Sequence, residues 1–149
     1  IIFRPPHEPE KNYVKRIVGV AGDTLEMRNK SLFRNNTPVL EMYARQVDGS
    51  RDAAHADMKW QSRYSVTTWR PEYQPTRDNW GPIVVPSESY FVLGDNREIS
   101  EDSRYWGFVT RDGIRGRPWL VYYSSEPKVD QSTRRPPKVR WNRIGMVIR

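Results

Sequence analysis

The chain has 149 residues and no cysteine, and 25 Lys plus Arg against 18 Asp plus Glu leave a formal charge of 25 − 18 = +7. The missing thiols exclude a disulfide scaffold, a cysteine nucleophile, an iron–sulfur or zinc–thiolate site and any thiol switch. Only 36% of the residues are hydrophobic, but 4 Phe, 8 Tyr and 6 Trp supply the burial that ordering a backbone requires, so the length reads as one folded domain with an insertion.

In chain order the elements are short and β-like. Ile1, Ile2 and Phe3 read as the end of a strand whose beginning is absent, as in an excised piece of a longer protein. Residues 13–20 are β-rich, and residues 24–27 and 31–33 flank a polar Arg28-Asn29-Lys30 turn. Residues 47–79 differ: they are polar, charged and almost aperiodic, with only YSVTTW (64–69) resembling a strand, and they read as an insertion or small cap on the main sheet. Residues 82–86 and 89–93 are Val/Tyr/Phe runs bounded by Pro and Gly, and residues 119–123 and 139–148 continue the theme around a Pro-rich loop at 124–137. No window of 12 residues holds a helical apolar face, so the class is mainly β, as a barrel or stacked sheets, with a discontinuous main domain (1–46 and 80–149) and the 47–79 insertion. No apolar run approaches the ~18–20 residues of a membrane span, and IIFRPPHEPEKNY lacks signal-peptide architecture.

The chemistry is narrow. The two histidines, His7 and His55, lack companions at metal-ligand or triad spacing and read as surface residues, and no GxSxG, Walker or GxGxxG pattern occurs. In YVKRIVGV, period-two alternation puts Lys15 on a face with Tyr13 and Ile17. Facing a core, its ammonium would be desolvated, its pKa would fall, and the amine would become a general base near neutral pH; the same pattern also fits an exposed edge lysine. In residues 94–107, Asp95, Arg97, Glu98, Glu101, Asp102 and Arg104 surround Ser100 and Ser103 and run into Tyr105-Trp106-Gly107. Paired acids and arginines can hold such a loop rigid and present Ser100 at a fixed place, and they can equally form a salt-bridged surface loop.

Both segments resemble the bacterial type I signal peptidases, membrane-anchored serine proteases with a Ser/Lys dyad. YVKRIVGVAGDTLEM resembles the segment that carries the family's catalytic lysine, GDNREISEDSRYWGF resembles its later GDNR…S.DSR signature, and GRPWLVYYS with WNRIGMVIR is similar to its C-terminal pattern. The resemblance covers most of residues 1–46 and 80–149. It implies a signal-peptidase-like β-sheet or barrel catalytic domain with an inserted cap-like segment. Lys15 would be the general base, Ser100 would orient the lysine amine by a hydrogen bond, and the pairs Asp102–Arg104 and Asp95–Arg16 would clamp the loop against the lysine strand. The implied reaction removes N-terminal signal peptides from exported precursors after small residues, with the substrate added as an extended strand. The resemblance implies no cofactor and no metal. Its partners would be signal peptides, the membrane lipid surface and the translocation machinery, with no nucleic acid, and the domain would face the extracytoplasmic side of the bacterial cytoplasmic membrane.

The family's nucleophilic serine belongs to a Ser-Met-x-Pro-type motif upstream of the lysine strand, and no serine of this chain occupies that place. The chain by itself is therefore expected to lack peptidase activity. Ala21, Glu98 and Ile99 depart from the family's usual Pro, Asp and Asn, and Ile99 removes a polar group close to Ser100. A rival reading is a basic, aromatic-rich β-barrel that binds single-stranded nucleic acid, which would interleave exposed rings with Lys and Arg; here SYFVL and WLVYY set rings beside apolar residues instead. A further reading is a degenerate relative that binds peptides without cutting them.

Overall fold

The structure, a computed structural model, describes residues 1–46, 52–66, 73–125 and 138–148. Two compact units divide the chain, Ile1–Gly116 and Arg117–Arg149. The first holds β1 (Ile2–Phe3), β2 (Tyr13–Val14), β3 (Arg16–Val20), β4 (Thr24–Arg28), β5 (Ser31–Arg34), β6 (Thr37–Pro38), β7 (Trp80–Val84), β8 (Ser89–Leu93), β9 (Val109–Thr110) and β10 (Ile114–Gly116). They pair antiparallel in three sheets, ordered β10-β1-β2, β3-β8-β9 and β6-β5-β4-β7.

The fold is mainly β, in agreement with the sequence pattern, and the expected 28–30 turn is present. Asn29 and Lys30 take φ of 47° and 69°, the left-handed backbone that a two-residue hairpin turn demands, and Asn35 and Asn36 repeat the device between β5 and β6. Strand β8 is buried on both faces, which explains its unbroken apolar run. Phe91 and Leu93 join Val18, Leu25, Met27, Leu32, Trp80, Ile83 and Val85 in the larger core, while Val92 packs with Phe3 and Val109 in a second cluster.

Three features depart from the sequence pattern. The strand expected over 13–20 breaks at Lys15, where the chain leaves one sheet for another: β2 pairs with β1, whereas β3 pairs with β8. Lys15 itself stays tied to β1, donating its N–H to the Ile1 carbonyl (3.1 Å) and accepting from the Ile1 nitrogen (2.7 Å). Second, a nine-residue 3-10 helix occupies Ala56–Tyr64 inside the aperiodic insertion. A 3-10 helix aligns residues three apart, and here Met58 and Gln61 form its buried stripe, too short an apolar signal to read as a period. Of the strand-like 64–69, Tyr64 ends this helix, Ser65 bridges to Ile83, and 67–69 lie outside the described residues. Third, 119–123 and 139–148 form no continuous strands. They are joined by isolated antiparallel bridges, Leu120 to Val147 and Ser125 to Val139, with a 3-10 turn at Trp141–Arg143; most of the loop read at 124–137 lies outside the described residues. Among the described residues no helix is long and apolar enough to cross a membrane.

Candidate active site

Lys15 and Ser100, 85 positions apart in sequence, meet where β8 ends. The Lys15 ammonium donates a 2.7 Å hydrogen bond to Ser100 Oγ. The break between β2 and β3 is what aims the lysine there: its backbone belongs to neither strand, and the half-buried side chain leans over the turn that starts at Gly94. Gly94 is required at this place, because a Cβ on it would overlap the Ser100 side chain and would also stand 3.5 Å from Lys15 Nζ. Burial lowers the Lys15 pKa; Asp102 opposes that shift, Arg104 adds to it, and Glu101 opposes it more weakly. The amine is thus held below the usual lysine range and aimed at one hydroxyl.

The turn that presents Ser100 has almost no regular secondary structure, and buried charges hold it instead. Asp102 is fully buried at the N-cap of α1 (Ser103–Trp106), where it accepts from the Gly94 and Arg104 backbone N–H groups at 3.1 and 3.2 Å. The Arg104 guanidinium forks onto both Asp102 oxygens at 2.8 Å and donates to the Arg97 carbonyl at 2.6 Å. Ser103 Oγ accepts from the Val92 N–H at 3.0 Å, tying α1 to β8. The second pair expected from the sequence is also together: Arg16 grips Asp95 bidentately at 2.8 and 2.9 Å, and its guanidinium lies 3.8 Å above the Tyr43 ring. Aspartate and arginine suit this work because a planar fork meeting two oxygens fixes orientation as well as distance.

Other members of the site gave no signal in the sequence. Glu41 pairs with Arg97, both nearly buried, through two 2.5 Å hydrogen bonds. Lys30, from the hairpin turn, donates to Glu98 at 2.8 Å. Trp60 Nε1 and the buried Gln61 amide both donate to the Arg104 carbonyl, at 3.1 and 3.0 Å, so the insertion's helix closes over the loop. These partners sit in segments without repeats or motifs, and sequence distance hid them. A cavity of about 670 Å³ opens beside Ser100, with Trp60, Ile99, Tyr105 and Trp106 among its walls. His7 and His55 are exposed, as surface histidines should be, but both line this cavity: His7 stacks on Trp106 and His55 meets Tyr105 edge-on. Among the described residues no cluster of His, Asp and Glu has the geometry to hold a metal ion.

Comparison with known proteins points to one family. Residues 1–123 match the family described as signal peptidase, peptidase S26. The chain is 37% identical to signal peptidase I of Bacillus amyloliquefaciens over 76% of this chain and 52% of that one, and 33% identical to signal peptidase I of Pseudomonas aeruginosa over 99% and 54%. It therefore spans about half the length of these relatives. The crystal structure of a signal peptidase I from Enterococcus faecalis superposes with a TM-score of 0.51 at 29% identity, covering 78% of this chain and 89% of that one.

Proposed function

The chain belongs to the signal peptidase family, peptidase S26, and from that premise we propose that it is the catalytic domain of a serine endopeptidase that removes N-terminal signal peptides from exported precursors. The observation that carries the reading is the hydrogen bond between a half-buried, pKa-lowered Lys15 and Ser100. A neutral Lys15 Nζ takes the proton of a serine hydroxyl as that oxygen attacks the scissile carbonyl, returns it to the leaving amine, and then draws a proton from the water that hydrolyses the acyl-enzyme. Ser100 steers the amine's lone pair by holding one of its hydrogens. The nucleophile would be a serine in a segment that precedes the lysine strand.

Asp95, Arg16, Asp102 and Arg104 would act as supports that keep the loop and the lysine in register. Residues 1–46 and 80–149 would form the catalytic β-domain, with 47–79 as a small cap. Signal peptides are the proposed substrates, docked as an added strand, on the extracytoplasmic face of the cytoplasmic membrane near the translocation machinery. The exposed Trp119, Tyr122 and Trp141, interspersed with Arg117, Arg140 and Arg143, support contact with a lipid surface.

The test is precursor cleavage by the full natural chain carrying Lys15→Met or Ser100→Ala. Loss of about 10²–10⁴-fold in kcat is expected for Lys15→Met, from removal of the base, with a smaller loss for Ser100→Ala. Cleavage that survives Lys15→Met undiminished would sink the assignment, and a full chain that binds signal peptides without cutting them would mark a non-catalytic relative.

A further inference from the structure

The supports named so far lie within the lysine strand and the 94–107 loop, yet a second buried arginine of that loop, Arg97, is gripped from outside both. Arg97 is almost fully buried, and both of its terminal nitrogens are taken by Glu41, at 2.5 Å each. With its fork fixed this way, Arg97 Nε is left to donate to the Gly94 carbonyl at 3.2 Å. Gly94 is the residue against which Ser100 and Lys15 Nζ rest, and its N–H is bound to Asp102. The Arg97 carbonyl receives Arg104, and its N–H donates to the Arg45 carbonyl at 3.0 Å.

Glu41 opens a short strap, residues 41–45, that grips the loop repeatedly. Tyr43 donates its hydroxyl to Glu41 at 2.9 Å while its ring lies under Arg16, and the Arg45 N–H donates to the Asp95 carbonyl at 2.7 Å. Two of the strap's contacts therefore go to Arg16 and Asp95, which clamp the loop, and two reach Arg97, through the Glu41 carboxylate and the Arg45 carbonyl.

We infer that Glu41 is a positioning residue for the Lys15–Ser100 pair, acting through Arg97 and Gly94. Glu41 touches neither reacting atom. Its carboxylate fixes the Arg97 fork, the fork fixes the Gly94 peptide, and that peptide sets how closely Ser100 approaches the lysine amine. Loosening the strap lets water reach Lys15, whose charge is otherwise faced by Ser100, Asp102, Arg104, Glu101 and the Tyr13 ring. A better-hydrated amine holds its proton to higher pH, so the working neutral form appears only at more alkaline pH.

The inference rests on Lys15 being the base, and two readouts in the full natural chain keep the two claims apart: precursor cleavage against pH, and the pH midpoint of Lys15 acylation by an amine-selective reagent. Glu41→Leu combined with Arg97→Met removes both charges while keeping volume, which a buried ion pair usually tolerates. Expected are an unchanged circular dichroism spectrum, a kcat lower by about 10²-fold at neutral pH with KM little changed, and an acid limb and a labelling midpoint both moved up by about one pH unit. Glu41→Gln, nearly isosteric, should move both in the same direction by less, and Glu41→Asp should restore them in part. Glu41→Gln carries the test should the double variant not fold. Unchanged acid limb and labelling midpoint in a folded variant, with cleavage scaled down equally at every pH, would overturn the inference, because that pattern is lost folded protein and not lost positioning. If Lys15→Met leaves cleavage intact, the base assignment fails, and the labelling midpoint still decides whether Glu41 holds the amine.

Discussion

Arg97, Asp102 and Arg104 of the 94–107 loop turn inward, while Trp119, Tyr122 and Trp141, in the stretches 119–125 and 138–147, turn outward. In the first stretch Asp102 is 0% and Arg104 1% exposed, and the loop's backbone carbonyls and amides are fastened to these side chains. In the second, Trp119, Tyr122 and Trp141 are 73%, 86% and 77% exposed, and among the described residues the backbone is joined by isolated bridges and single hydrogen bonds instead of a continuous ladder. A turn that must present one hydroxyl at one place cannot borrow rigidity from a helix or a ladder, so guanidinium forks supply it. Exposed rings on loosely laddered backbone do nothing comparable for the fold, and apolar surface of this kind is the usual mark of an interface.

The sharpest way to break the contrast is to remove an inward charge. Arg104→Met leaves Asp102 buried without its partner, and breaking one side of a buried pair costs about 3–5 kcal/mol. Urea denaturation of the variant should show that loss, and Arg104→Lys should rescue little, since an ammonium cannot span both Asp102 oxygens and the Arg97 carbonyl. A cost below about 1 kcal/mol, the range of exposed pairs, would mean that the loop does not depend on the pair.

A smaller effect, of opposite sign, belongs to Lys15. Its folded-state pKa is lowered by burial from an ordinary 10.5. Between the lowered value and 10.5 the unfolded chain binds more protons than the folded one, so stability climbs with pH across that window. Below the lowered value both states are charged, and the penalty for burying the ammonium is fully present. Lys15→Met removes that penalty, so its Tm should exceed the parent's at pH 7 by an amount on the order of a few °C, with the gap closing as pH rises toward 10.5. Equal Tm values at all pH would show that the amine is not desolvated. A gain in stability from deleting a half-buried charge is what a site strained for chemistry predicts, and what a merely structural lysine does not.

The sequence exposed these two regions unequally. SYFVL was legible as a strand because an apolar run bounded by Pro and Gly suits a strand buried on both faces, and the 28–30 turn was legible because its three residues are polar and Asn29 readily takes positive φ. Lys15 and Ser100 were legible as candidates from alternation and from the charged loop, each beside a bland alternative, and the family signatures tipped the choice; period two placed Lys15 within a strand, whereas it marks the crossing between two sheets. Glu41, Gln61 and Trp60 were not legible, because each contributes a single long-range hydrogen-bonding group from a segment whose local pattern says nothing about its partner. The 3-10 helix escaped for a similar reason, a two-residue stripe being shorter than any period that could reveal it.

The smallest effect on the fold should come from the outward rings, and it tests the other half of the contrast. Trp119→Ser, Tyr122→Ser and Trp141→Ser each remove a side chain that is already mostly in water, so each should change stability by no more than about 0.5 kcal/mol. Trp80→Ala, inside the core against Phe91, should instead cost about 3–5 kcal/mol. If the exposed rings serve a lipid interface, the triple Ser variant should lose binding to anionic phosphatidylglycerol vesicles in flotation while keeping its unfolding midpoint. Arg117 and Arg143, both exposed, and the half-buried Arg140 would make the parent's binding weaker on zwitterionic vesicles and weaker in high salt. A triple variant that unfolds early would show that the rings support the fold after all. One that folds and floats as well as the parent would leave the outward rings with no lipid role.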